Sequence, residues 1–468
     1  MREAGHARPG QTRNGFLNRV VTSLVADRRG CAEDSLSRTD RPGPTMMDLR
    51  PEQEPGRASR LHERLATPFV VRMLLLSLAA VMLSKALRYA GLLPAQGITD
   101  FDAFHIAGRM VWRGDIAQAY HLLALLTVQQ ALTGEQAFLP WTYPPPFDLV
   151  VAALAPLPIG LAYLVFVGST LAAYLLVLRR IAGAQFAPVV VALAPVLVVG
   201  VAGGQNGFLT GTLIGLTCLG LLSGRALAGL PLGLMVIKPH LAVGLAVCAL
   251  VSRRWRCLAI AAATAALALI LSTAVLGPAI WPAFLGGVDE AKTFLAAGAY
   301  PLFRMVSVYA CLRSLDLPAS VALAAQVATA ASVLGLIPLA LWRNLPRRQV
   351  VGLAALASLF VSPYAYDYDL TLYGVALALL LPDLLGRASR REELALLALG
   401  WMVGGYGLTA GGLYEARLGT EVTASAEISL AALPFLLLVA LVWRILRREQ
   451  AATAAIAGKA GPAAPVPA

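Results

Sequence analysis

Apolar runs recur along this chain from residue 69 to residue 445, and many approach the roughly 20 residues that a helix needs to cross a bilayer. In lipid every backbone N–H and C=O must be satisfied without water, which leaves α-helices and closed β-barrels as the available spans. A barrel needs short segments alternating apolar and polar residues, and the sequence has no such pattern. The expected fold class is therefore an all-α polytopic membrane protein. Charged residues make up only 14% of the chain, against about 25% in soluble proteins.

The expected spans are 69–87, 146–178, 186–203, 207–223, 226–237, 240–252, 257–277, 319–342, 349–362, 368–383, 393–411 and 426–445. They amount to a bundle of about 11 to 13 membrane helices. Residues 1–68 are rich in Arg, Pro, Gly, Ser and Asp without sustained periodicity, so a disordered cytoplasmic segment is expected there. A disordered tail is expected at 447–468, leaving a membrane domain at 69–446 with its first outer loop at 88–143.

The net charge of +12 does not indicate nucleic acid, because the arginines sit in short clusters between apolar runs. Arg179-Arg180, Arg253-Arg254 with Arg256, Arg347-Arg348, Arg390-Arg391 and Arg447-Arg448 follow the positive-inside pattern of cytoplasmic loops. Counting crossings between them puts the polar motifs 203–207, 237–240 and 362–369, with loops 88–143 and 278–305, on the opposite, outer face. Pro156 and Pro158 interrupt 146–178; a tilted, broken span or a partial helix plus one full span keeps the parity. The five cysteines have no metal spacing and read as small core residues that need no disulfide.

Against this apolar background the polar motifs stand out. In "ITDFDAFHIAGRMVWRGD" (98–115), a helix starting near 101 puts Phe101, Phe104, Gly108 and Val111 on one stripe and Asp102, His105, Arg109 and Arg113 on another. Two readings of Asp100 stand: a helix N-cap, or a general base at the membrane–water boundary. Asp102 reads as an acid paired with His105 or Arg109, or as the base. In "WTYPPPFD" Tyr143 is an interfacial anchor or the wall of a substrate groove. Gln205 and Asn206 of "GGQNG" are ligand-binding groups or interhelical hydrogen-bonders. Lys238 and His240 of "IKPH" suit a lipid phosphate, or snorkelling. In "SPYAYDYDL" (362–370), Asp367 and Asp369 fall among three tyrosines at an outer helix end, where Asp367 reads as a helix cap.

These motifs, in this order, resemble glycosyltransferase family 87, polytopic enzymes of the GT-C class that use polyprenyl-phosphate sugars. The resemblance runs over 69–383 through "DFDAFHIAGRMVWRGDIAQAY", "YPPPF", "GQNGFLTGTLIG", "LAGLPLGLMVIKPHLAV" and "SPYAYDYDL". It implies a periplasm-facing site in the bacterial cytoplasmic membrane. There a hexose passes from a polyprenyl monophosphate to a hydroxyl on a lipid or glycan acceptor, with inversion. Asp100 matches the family's loop aspartate, with Phe101 and Phe104 at its aromatic positions and Asp102 as an extra acid. Where mannosyltransferase members carry a histidine pair, this chain has Tyr368 and Asp369. Lys238, His240, Arg109 and Arg304 are the candidates to hold the donor phosphate, and Tyr143, Gln205, Asn206, Tyr368 and Asp369 to line the groove. No cofactor is expected, since a lipid-phosphate donor needs no nucleotide site, and no obligatory metal, since the sequence has no carboxylate cluster with metal spacing. The alternative is a lipid or glycan transporter without chemistry, for which repeated halves are expected and not found.

Overall fold

Thr67 and Pro68 start the first helix in the way a helix start is usually encoded. The Thr67 hydroxyl accepts from the Val70 N–H at 3.3 Å, and proline occupies the first turn, where its missing N–H is no loss. This helix, α1 (Pro68–Tyr89), opens the computed structural model, which describes residues 65–94, 97–134, 139–418 and 428–448. The segments expected to be disordered, 1–68 and 447–468, lie almost wholly outside those residues. Among the described residues there is no strand, only an isolated bridge between Met305 and Tyr366. The all-α polytopic class holds.

Among the described residues, six stretches are long and apolar enough to cross a membrane: Pro68–Tyr89, Ile159–Ala192, Trp255–Leu276, Ala319–Trp342, Asp367–Arg387 and Arg390–Tyr414. The other expected spans are shorter pieces, because proline and glycine interrupt them. Residues 186–203 break at Leu193 into α6 (Phe186–Ala192) and α7 (Ala194–Gly203), with Pro195 in the first turn of the second. Residues 226–251 break around Lys238 and Pro239 between two 3₁₀ turns, before α10 (Val243–Val251). The stretch 146–178 is a partial helix, α4 (Pro145–Leu154), followed by a full span, α5 (Ile159–Ala182). Residues 278–305, expected as a loop, contain the 17-residue helix α12 (Ile280–Ala296). Its apolar Trp281 and Phe284 pack inward over the core, which a reading based on run length missed.

Between these lie α2 (Asp100–Arg113), α3 (Leu122–Thr133), α8 (Gly207–Leu222), α9 (Gly229–Leu234) and α11 (Trp255–Leu276). After α12 come α13 (Val308–Arg313), α14 (Ala319–Trp342), α15 (Arg347–Ser358), α16 (Thr371–Arg387), α17 (Arg390–Leu418) and α18 (Ala432–Leu446). Helix α16 is buried along nearly its whole length, packed against α8, α15 and α5, and forms the centre of the bundle. Helix α11 is the opposite case: only Cys257 and Ser272 are buried. An apolar helix with so little buried surface is one that faces lipid. Cys218, Cys248, Cys257 and Cys311 are free and buried, as expected of small core residues; Cys31 lies outside the described residues.

Helix α2 lies against α4 at very short range. A Cβ added at Gly108 would stand 2.4 Å from the Val151 carbonyl oxygen, closer than any side chain tolerates. Gly108→Ala should therefore lift α2 off α4, at about 1–3 kcal/mol of overpacking. The expected result is a lower thermal unfolding midpoint for the detergent-purified protein; an unchanged midpoint would mean that α2 is not seated as described.

Candidate active site

Four helical segments begin at one place. Asp100 is the first residue of α2, and Gln205-Asn206 precede α8. Lys238 separates the two 3₁₀ turns ahead of α10, and Asp367–Leu370 is the 3₁₀ turn that leads into α16. Helix starts carry unsatisfied N–H groups and the positive end of the peptide dipoles, so their convergence favours an anionic ligand. Between them is a cavity of about 540 Å³ lined by Asp100, Tyr143, Gln205, Lys238, His240, Arg304 and Tyr368, among others. That volume is within the roughly 300–1,000 Å³ of small-molecule sites.

The two acids of the opening motif have different jobs. The helix start is capped by Thr99, one residue earlier than the sequence suggested, and Asp102 is its partner. Asp102 Oδ2 accepts from the Thr99 N–H and hydroxyl, each at 2.8 Å, and from the Tyr89 hydroxyl at 3.1 Å. It does not line the cavity, and its expected pairing with His105 or Arg109 is absent. His105 Nε2 lies 3.0 Å from the Leu157 carbonyl oxygen. Asp100 does line the cavity and comes within 3.6 Å of Arg304 Nη1.

Arg304 is held by a carboxylate from far along the chain. Its Nε donates to Asp367 Oδ2 at 3.3 Å and its Nη2 to Oδ1 at 3.1 Å, a two-pronged contact that fixes the plane of the guanidinium. Burial disfavours the charge, but the Asp367 and Asp100 carboxylates outweigh it and hold the Arg304 pKa well above its ordinary value. Asp367 is therefore no simple helix cap. That part falls to Asp369, whose Oδ2 accepts from the Tyr366 N–H at 3.2 Å. Asp369 Oδ1 accepts from Lys238 Nζ at 2.7 Å, in an ion pair almost closed to solvent. Lys238 also stands over the Tyr368 ring, 4.5 Å from its centroid.

The remaining expectations divide. Tyr143 and Gln205 line the cavity and bond each other, the phenol donating to Gln205 Oε1 at 3.0 Å; burial raises the Tyr143 pKa well above its usual value. Tyr368 lines it as well, stacked on Tyr366 at 5.2 Å between ring centroids. Asn206 and Asp369 do not line it and lie behind Gln205 and Lys238. Arg109 is exposed on α2 away from the cavity, because its stripe is the one that turns from the core. His240 lines the cavity, and its Nε2 has no hydrogen-bond partner among the described residues. No three His, Cys, Asp or Glu side chains among the described residues group closely enough to hold a metal ion.

Two residues that sequence reasoning passed over support the site. Lys85, near the end of α1, is 7% exposed; its Nζ donates to the Thr99 hydroxyl at 2.9 Å and to the Ala202 carbonyl, tying the start of α2 to the end of α7. A lone lysine in an apolar span was the available signal. Asp148, fully buried in α4, accepts from the Tyr120 hydroxyl at 2.8 Å and from Trp141 Nε1 at 2.9 Å. It fixes the aromatic wall, since Trp141 and Tyr143 both pack on Phe104. Asp148→Ala leaves the Trp141 N–H without its acceptor, a loss of about 1–3 kcal/mol. The expected result is a lower unfolding midpoint together with altered near-ultraviolet circular dichroism; a variant unchanged in both would remove Asp148 from this role.

A model of glycosyltransferase family 87 matches residues 141–363, a narrower stretch than the 69–383 over which the motifs run. The comparisons with curated proteins and with solved structures gave no match. The matched residues include Tyr143, Gln205, Lys238, His240 and Arg304, that is, the cations and part of the aromatic wall of the cavity. Residues 141–363 thus match glycosyltransferase family 87, a match that supports a membrane glycosyltransferase.

Proposed function

We propose that the protein transfers a hexose from a polyprenyl monophosphate to a hydroxyl acceptor, in one inverting displacement, at the periplasmic side of a bacterial cytoplasmic membrane. The observation that carries this reading is the meeting of Asp100, Lys238, His240 and Arg304, brought from separate stretches of the sequence, around one cavity. The acceptor oxygen attacks the anomeric carbon while the bond from that carbon to the phosphate oxygen breaks. Asp100 takes the hydroxyl proton, and the phosphate leaves with the bonding electrons. Arg304 and Lys238 offset the charge that gathers on it. Their carboxylate partners keep both cations in place before the substrate arrives, so little reorganisation is needed during the reaction.

The sidedness is supported by the direction of the buried helices. Helix α8 begins just after Gln205 at the cavity and runs towards Arg225, and α16 begins just after Tyr368 and runs towards Arg387. Over its 17 residues α16 separates the two ends by about 25 Å. Arginine-rich ends are those retained in the cytoplasm, which leaves the cavity on the other face.

The test is transfer in isolated membranes from a radiolabelled polyprenyl-phosphate hexose, mannose first. Release of polyprenyl phosphate with label in a new glycoside is expected; label moved across the membrane with the donor intact would favour a transporter instead.

A further inference from the structure

A second, smaller cavity adjoins the first. It has a volume of about 230 Å³, and its lining includes Thr99, Ala202, Asp367 and Leu408. It also shares Asp100, Leu139 and Arg304 with the larger cavity, so the Asp100–Arg304 pair is part of the wall between them. We propose that this smaller chamber is the acceptor subsite, taking one neutral ring-sized polyol group and presenting its hydroxyl to Asp100. The proposal rests on the hexosyltransferase reading above and adds to it where the acceptor binds and what charge it carries there.

The charges sort the two cavities. Among the described residues, the larger is lined by Lys238, Arg304 and His240 with Asp100 as its one acid. The smaller, among the same described residues, has two acids, Asp100 and Asp367, against the single cation Arg304. Asp367 occupies Nε and Nη2 of that guanidinium. A phosphate entering the smaller chamber would meet two carboxylates and a cation already engaged. Neutral hydroxyls suit it better, because an ionised carboxylate is a pure acceptor and every hydroxyl can donate. The Ala202 carbonyl is already taken by Lys85, so the acids are the principal acceptors on this side.

Size agrees with that assignment. The volume is below the roughly 300–1,000 Å³ of whole-ligand sites, so it admits one ring and not a glycolipid. In an inverting displacement the nucleophile and the leaving group lie on opposite faces of the anomeric carbon. Two cavities that share Asp100 in their walls give the acceptor a chamber separate from the donor's.

The test uses the full-length protein in nanodiscs, turning over a polyprenyl-phosphate hexose in the presence of methanol, cyclohexanol or n-octyl mannopyranoside as surrogate acceptors. Leu408 lines the smaller chamber alone and Phe284 the larger alone. Leu408→Trp is expected to lower the ratio of cyclohexyl to methyl glycoside about tenfold, as steric discrimination in a tight pocket does. Leu408→Ala, which removes bulk and carries little folding risk, is expected to raise it. Phe284→Ala is expected to raise the donor KM and leave that ratio in place. A ratio that follows Phe284 and ignores both Leu408 variants overturns the assignment. So does donor hydrolysis with no alcohol product from any of the three. No donor turnover of any kind, water included, is a different result: it removes the hexosyltransferase reading itself.

Discussion

Asp100→Asn should lower hexose transfer by about 10²–10⁴-fold, the usual contribution of a general base, while the unfolding midpoint stays close to that of the parent protein. The substitution keeps the size of the side chain and removes its basicity. Little stability is at stake, because the nearest cation, Arg304, is 3.6 Å away and keeps both of its hydrogen bonds to Asp367. Asp102→Asn should give the converse. Its carboxylate accepts from Thr99 and Tyr89, so the change weakens the start of α2 by about 1 kcal/mol, the typical value of a cap. Transfer should then fall only as far as Asp100 is displaced. The comparison is made on purified protein with a polyprenyl-phosphate hexose, reading initial rate and melting temperature together. Full activity in Asp100→Asn would remove it as the base, and a loss confined to Asp102→Asn would move the role two residues along.

Lys238→Met should destabilise the protein by about 3–5 kcal/mol, since removing one partner of a buried ion pair strands the other. The stranded group is Asp369, 1% exposed and still bound to the Tyr366 N–H. The double variant Lys238→Met with Asp369→Leu should recover most of that loss, because two apolar side chains leave no unpaired charge. Its transfer activity should stay low. Stability and activity thus separate: recovery of both would make the pair purely structural, and a double variant as unstable as the single one would show that the ion pair is not what Lys238 contributes. Thermal unfolding in detergent measures the first quantity, and donor turnover the second.

Much of this architecture could be read from the residues. The run 319–342 coincides with α14, and the proline interruption of 146–178 gave a partial helix and a full one. Such features are local, set by run length and by the missing N–H of proline. The stripe of Phe101, Phe104 and Gly108 was legible for the same reason, and it is the buried face of α2. A periodic stripe says which residues share a face, not what that face meets, and so Arg109 was grouped with cations it does not join. The cap was displaced by one residue because Thr99, Asp100 and Asp102 are all chemically able to serve. Least legible was the Arg304–Asp367 clamp. Its partners are 63 residues apart, and only the packing of α16 at the centre of the bundle brings them together.

The cavity joins two kinds of structure. Asp367 and Tyr368 stand at the head of α16, which neighbours enclose along nearly its whole length, so a substitution anywhere along that helix has little room to relax. The opposite side is formed by Phe284 and Phe294 of α12, a helix with only Ile280 and Gly287 buried. Change is therefore far easier to accommodate on one side than on the other. Among relatives that handle different sugars or lipids, divergence should gather on α12 and the turn after it, with the tyrosines ahead of α16 held fixed by the core beneath. Redesign of substrate range would begin at that rim.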